Sequence, residues 1–355
     1  MEPRIIFFSR GRGSGHATPD LALGQAIREA IPGIDIRWAS YGTGAATIRR
    51  WGEEVIDLEL PEVNPYLETQ IKVAAVIQKL IPNMVIAHEE FAVPPIAKIF
   101  GVPVTFLTDY FVPPSHIWME SLLYANEIIF IDQHGWFDEP PLLRDKIRYT
   151  GPLVRTLTYA RGERRRARAE LKLGENEVVV LVLPGNWFTE AKAPIFNLVW
   201  AAFKSLQVGP KRLVWIAGQD CEELRERTRH YSDVTVLEHS LQVEQWMVAS
   251  DVALTKGTRK TSIELAFLGV PSIALSPQQN PIDDQRVSKL PTNIHLNAAK
   301  LHPDALRCHI QSVLDIKEGE AGSAIPLMSG FQATVDRLVE NIWTATHCLA
   351  SPVCN

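Results

Sequence analysis

The chain has 355 residues, 46% of them hydrophobic and 22% charged, an ordinary globular composition with length enough for two cores. Its 36 Lys and Arg against 41 Asp and Glu leave a formal net charge of −5, which excludes the basic footprint of a nucleic-acid binder. No apolar run approaches the roughly 20 residues of a membrane helix, no small-residue cleavage site follows Met1-Glu2-Pro3-Arg4, and the four cysteines are scattered, so a cytoplasmic chain with reduced thiols is expected.

Apolar runs that read as strands come first at Ile5–Ser9, Ile34–Ala39, Val55–Leu58, Met84–Ala87, Val104–Thr108 and Ile128–Ile131. Helical spacing fills the gaps at Asp20–Ile31, Glu68–Leu80 and Pro94–Phe100. Continuous apolar strands are those covered by helices on both faces. The charged stretch Tyr159–Arg168 then reads as an exposed linker or the first turns of a helix. A solvated face is the plainer account of its arginines, and contact with an anionic membrane surface the sharper one.

The second half repeats the pattern. Strands are expected at Val178–Leu183, Arg212–Ala217, Val234–Leu237, Asp251–Leu254 and Ser272–Leu275. Helices are expected at Ala191–Leu206, Glu222–His230, Val243–Ala249, Thr261–Leu268 and Pro303–Val313. A small-residue loop, Gly319–Gly330, precedes an amphipathic helix over about 331–347. The fold class is therefore α/β: two doubly wound, Rossmann-like domains, 1–158 and 165–328, facing across a cleft.

Strand Ile5–Ser9 runs into Arg10-Gly-Arg-Gly-Ser-Gly-His16, followed by a helix with Thr18 as expected N-cap and Pro19 in its first turn. Gly13, Ser14 and Gly15 let the backbone approach a ligand, and the helix start offers N–H groups to an anion. The spacing is not that of a dinucleotide fingerprint, and no acidic residue closes the strand at Ile34–Ala39. His16, at the lip of this turn, is a candidate catalytic group; a capping or packing histidine is the plainer account.

In the second half, a strand ends at Leu254 and Lys256-Gly257-Thr258 make a turn before a helix with Glu264 in its first turn. Turn amides, helix dipole, Lys256 and Lys260 suit a diphosphate, and Glu264 suits two ribose hydroxyls. Stabilisation of a helix start is the plainer role for that carboxylate. The loop Ser276–Gln285 is rich in amides and carboxylates, as sugar hydroxyls require.

The glycine loop with His16, and Thr255-Lys-Gly with Ser262-Ile-Glu264-Leu-Ala-Phe-Leu-Gly-Val-Pro271, resemble GT-B glycosyltransferases, in particular the peptidoglycan N-acetylglucosaminyltransferase and UDP-glycosyltransferase group. The resemblance implies that the second domain binds a nucleotide-sugar donor, that the first holds an acceptor hydroxyl, with lipid-linked acceptors among the candidates, and that the last helix crosses back to the first domain. It implies that Glu264 holds the ribose, Lys256, Gly257 and Thr258 the diphosphate, and Asp284 and Gln285 the donor sugar. The glycine turn of the second domain is here Leu183-Pro-Gly-Asn-Trp187, which shares only Gly185 with the family, and Gly185 and Asn186 are expected at the donor; Gly151–Arg155 is similar to the family's junction stretch, so Arg155 is expected at the cleft. The double-glycine pairs of the peptidoglycan enzyme are absent from the first loop, and Lys256 replaces the histidine common in UDP-glycosyltransferases.

Retaining relatives carry two glutamates eight apart near the donor, and position 256 is Lys, so inversion by direct displacement is expected. The chain has no Asp-x-Asp metal motif, and no metal or cofactor is expected to be needed. The base is His16 or Asp109, which follows the strand Val104–Thr108; a turn residue is the plainer account of Asp109. The rival readings are a nucleotide-sugar hydrolase or epimerase on the same fold, and a non-catalytic nucleotide-sugar-binding subunit.

Overall fold

The computed structural model describes residues 2–61, 66–111, 117–155, 157–184, 187–218, 221–240, 242–256, 259–276, 290, 293–315 and 329–348. The chain divides into two compact units, Met1–Thr156 with Met328–Asn355, and Leu157–Leu327.

The first unit is built on parallel strands β1 (Arg4–Ser9), β2 (Asp35–Ser40), β3 (Val55–Asp57), β4 (Met84–His88), β5 (Val104–Thr108), β6 (Glu127–Phe130) and β7 (Ile147–Tyr149), in the order β3-β2-β1-β4-β5-β6-β7. Phe7 of β1 lies opposite Trp38 of β2 on one side and Ile86 of β4 on the other. Successive strand residues point to opposite faces. Ile6 and Phe8 join one core with Val85, Ala87 and Phe106, while Ile5 and Phe7 join another with Met84 and Ile86. The central strands β1, β4 and β5 are buried on both faces, so both parities are largely apolar, whereas β2 exposes Arg37 and β7 exposes Arg148.

Helix Ala17–Ala30 covers the second face with Leu21 and Ile27. Helix Phe331–Cys348 adds Val335, Leu338, Ile342 and Ala345 to the same core, a stripe at steps of three and four. Arg337 Nε donates to both Glu127 oxygens at 2.9 Å, and Asn341 Nδ2 donates to Glu127 at 2.6 Å. Glycine is required at 330, where a Cβ would strike the carbonyl oxygens of Thr150 and Gly151. Helix Gly42–Arg50 falls outside the predicted set. Its Gly-Thr-Gly start reads as a turn, yet Gly44 N donates to Gly11 O at 3.1 Å and seats the helix against the first loop.

The second unit has β8 (Val178–Leu183), β9 (Lys211–Ile216), β10 (Val234–Leu237), β11 (Val252–Thr255), β12 (Ser272–Ser276) and β13 (Asn293–Asn297), in the order β10-β9-β8-β11-β12-β13. Val180 and Val182 enter one core, Val179 and Leu181 the other. Strand β13, Asn-Ile-His-Leu-Asn, falls outside the predicted set; among the described residues it pairs along β12 at the edge of the sheet, a position that tolerates its polar residues.

Of the two forms expected for the arginine run, the structure has the first turns of a helix. Helix Arg164–Glu170 belongs to the second unit, and Arg168 is only 4% exposed. Its guanidinium donates to the carbonyls of Ala249 at 3.0 Å, Gly174 at 2.8 Å and Glu177 at 2.8 Å, and to Asp251 at 2.9 Å. Arg164 also binds Asp251. Arg168 staples loops rather than facing water, because its five guanidinium donors satisfy carbonyls that would otherwise be buried bare, and the half-buried Arg164 adds to the same staple.

In each sheet the chain winds outward and then returns beside its first strand. Loops after β1 and β4 therefore leave in opposite directions, as do those after β8 and β11. Such switch points open a crevice at the carboxyl ends of the strands.

Candidate active site

The first switch point gathers charge. Ser9, the last residue of β1, donates through Oγ to Asp20 Oδ2 at 2.5 Å. The other oxygen, Oδ1, accepts from Nδ1 of His88 at 2.6 Å, and His88 is the last residue of β4. Asp20 and His88 are both fully buried. The His88 ring meets the His16 ring edge-on at 4.8 Å.

His16 stands at the N-cap of helix Ala17–Ala30 without a side-chain cap bond. The helix begins before the expected Thr18 cap because Ser14 O already accepts from Thr18 N at 3.0 Å. Freed from capping, the imidazole reaches across the switch point, and its Nε2 lies 2.7 Å from Glu89 Oε2. The bonded carboxylate sets the tautomer and orientation of the ring. Glu89 holds a left-handed φ of 53°, a costly conformation for a residue with a Cβ and typical of functional loops.

Arg10 Nη1 lies 3.8 Å from Glu89 Oε2 and donates to Tyr110 OH at 3.3 Å, and its guanidinium stacks 5.0 Å from the Trp118 ring centre. Burial opposes the charge of Arg10, but Tyr110 and Glu89 outweigh it and raise its pKa. Tyr41 OH donates to Glu90 at 3.2 Å, and burial pushes the Glu90 carboxyl up to about 7. A Cβ at Gly11 would strike the backbone and ring of Tyr41, so this glycine is what lets Tyr41 reach Glu90. Ser14 and Gly15 are exposed at the rim, and Gly13 has a φ of 71°.

Asp109 follows β5 directly and is 2% exposed. The carboxylate bonded to His16 is Glu89, which sequence reasoning missed. The available signal was His88-Glu89-Glu90, three ionisable residues at the end of an apolar strand. Arg155 is half-buried, in a segment of the first unit where Ser329 Oγ donates to Val154 O at 2.7 Å.

The second unit presents its own switch point, between β8 and β11. Lys256 follows β11 and is half-buried. Helix Arg259–Leu268 begins two residues before the expected start, which puts half-buried Glu264 in its second turn. That distance weakens the helix-start account of Glu264, since dipole stabilisation fades beyond the first turn. Gly185, Asn186, Gly257, Thr258, Asp284 and Gln285 lie outside the described residues. Among the described residues, no helix is long and apolar enough to cross a membrane.

No protein-family model and no curated protein matches the chain. Solved structures do. The glycotransferase of kitacinnamycin aligns with a TM-score of 0.69 at 18% identity, over 97% of this chain and 99% of that one. MurG of Acinetobacter baumannii aligns at 0.65 and 12% identity, over 96% and 99%. The UDP-GlcNAc 2-epimerase of Methanocaldococcus jannaschii aligns at 0.63 and 14% identity, over 97% and 100%. The chain has the GT-B fold of the glycosyltransferases, which UDP-GlcNAc 2-epimerases share.

Proposed function

We propose that this chain is a glycosyltransferase that moves a sugar from a UDP-sugar to an acceptor hydroxyl, with inversion. The observation that carries the reading is the His16–Glu89 pair, held 2.7 Å apart at the switch point of the first sheet. The pair takes the proton of the acceptor hydroxyl, Glu89 stabilising the imidazolium that forms. The hydroxyl oxygen bonds to the anomeric carbon as the bond to the diphosphate oxygen breaks. Lys256, Gly257, Thr258 and the start of helix Arg259–Leu268 carry the negative charge that develops on UDP. Glu264 holds the ribose, Asp284 and Gln285 the sugar, and Gly185, Asn186 and Arg155 complete the donor and acceptor contacts. Asp109 is the second candidate base. Scattered cysteines favour the cytoplasm, and a lipid-linked acceptor would bring the protein to the membrane face.

The likeness to a UDP-GlcNAc 2-epimerase supports a second reading, in which the sugar itself is the reactant. Incubation with a panel of UDP-sugars and hydroxyl acceptors, with product analysis, separates the two. Transfer yields UDP and a new glycoside; epimerisation yields an altered UDP-sugar with no acceptor present. Turnover that disappears with EDTA and returns with magnesium or manganese would overturn the metal-independent mechanism.

A further inference from the structure

One ligand atom from each of His16, His88 and Glu89 lies within 4.8 Å of the other two. We propose that these three side chains form a binding site for a borderline transition-metal ion, zinc being the best fit, and that loading the site turns the enzyme off. The binding site stands on geometry alone; the inhibition rests on the reading of His16 as base.

Two imidazoles and a carboxylate are a zinc donor set, whereas magnesium and calcium take oxygen ligands. Tetrahedral zinc, with bonds of about 2.0–2.2 Å, sets its ligand atoms about 3.3 Å apart. Glu89 Oε2 and His16 Nε2 are already at 2.7 Å, so a small rotation of the long glutamate and the rim histidine closes the set. His88 needs none. Its Nδ1 is bound to Asp20 at 2.6 Å, and Asp20 is itself held by Ser9 at 2.5 Å, all without solvent exposure. A carboxylate on one ring nitrogen keeps the proton there and leaves the lone pair on Nε2, the arrangement that orients metal-binding histidines. Asp20 and Glu89 against Arg10 give the cluster one net negative charge before the ion arrives, and Arg10, at 3.8 Å from Glu89, restrains affinity.

The ion takes the place of the proton that His16 Nε2 holds against Glu89, and that proton moves to Nδ1, so the ligand stays a neutral imidazole. Nδ1, the nitrogen left to take the acceptor proton while Nε2 faces Glu89, is then protonated, and Glu89, bound to the metal, no longer pairs with the ring.

The test uses the full chain stripped with chelator. Cobalt(II) is added as a spectroscopic probe and zinc by calorimetry. One ion per chain is expected, with ligand-field absorption of a four-coordinate cobalt site. Glu89→Gln and Asp20→Asn, each checked for native melting and circular dichroism, are expected to weaken binding at least tenfold. Unchanged affinity in both folded variants, or no stoichiometric binding by the wild type, overturns the site. If Asp20→Asn fails to fold, Glu89→Gln with His16→Gln decides it. Full transferase turnover at metal saturation, read from the cobalt spectrum, overturns the inhibition. Absence of any transferase activity beside intact cobalt binding instead counts against the proposed function and leaves the site standing.

Discussion

His16 bonds to Glu89 rather than capping its helix, and that choice separates two outcomes of one substitution. Removing a general base costs roughly 10²–10⁴ in rate. His16→Ala is expected to lower turnover by that order while the affinity for UDP and the melting temperature stay near wild type. A packing histidine would give the reverse: a lower melting temperature and near-normal turnover in the folded fraction. Turnover within a few-fold of wild type would make Asp109 the leading base. Glu264 makes a separate claim on the donor. Glu264→Ala is expected to weaken UDP binding by about 1–3 kcal/mol, the scale of a hydrogen bond to a charged group, by calorimetry. Unchanged affinity in a folded variant removes Glu264 from the site. His16 and Asp109 stand out in the sequence as candidates because they lie in segments that leave apolar strands of a parallel sheet. Glu89 carried a local signal, the run His88-Glu89-Glu90 after an apolar strand, but its pairing with His16 depends on β4 returning beside β1, which that run does not encode.

Elements are held by a few polar staples as well as by their apolar faces. Glu53, beyond helix Gly42–Arg50, receives bonds from Arg28 Nη1 at 2.5 Å and Nη2 at 2.9 Å, and from Trp38 Nε1 at 3.0 Å. The bond from Arg28 lowers the Glu53 pKa more than burial raises it, and the Trp38 bond adds to the lowering. A carboxylate whose pKa is depressed by folding stabilises above its unfolded value, about 4.3, and loses that contribution as pH falls through the folded value. The melting temperature of wild type should exceed that of Glu53→Gln by a constant margin from pH 8 to 5, and the margin should close below about pH 4. A margin unchanged at pH 3 would show that Glu53 acts by shape alone. Strands with two apolar faces, such as Val178–Leu183, were readable residue for residue. Helix Gly42–Arg50 and strand Asn293–Asn297 were not, because tertiary packing and an edge position override weak local propensity.

At the scale of the molecule, two units repeat one winding scheme with different chemistry at the switch point. The first concentrates histidines and carboxylates after β1 and β4, while the second places Lys256 after β11 and Glu264 on the helix that follows. A cation, turn amides and a helix start suit a diphosphate; a paired imidazole suits a proton. This division predicts where a ligand without sugar or acceptor makes itself felt. UDP alone should slow hydrogen exchange at amides of residues 252–268 and leave residues 9–20 near their free rates. At a concentration 100 times its dissociation constant it stabilises the state that binds it by about 2.7 kcal/mol, enough to slow exchange about a hundredfold wherever opening of the second unit exposes the amide. Equal protection of the loop around His16 would mean that the first unit also grips the nucleotide. His16→Ala would then weaken UDP binding as well as turnover, and the assignment of donor and proton chemistry to separate units would fail.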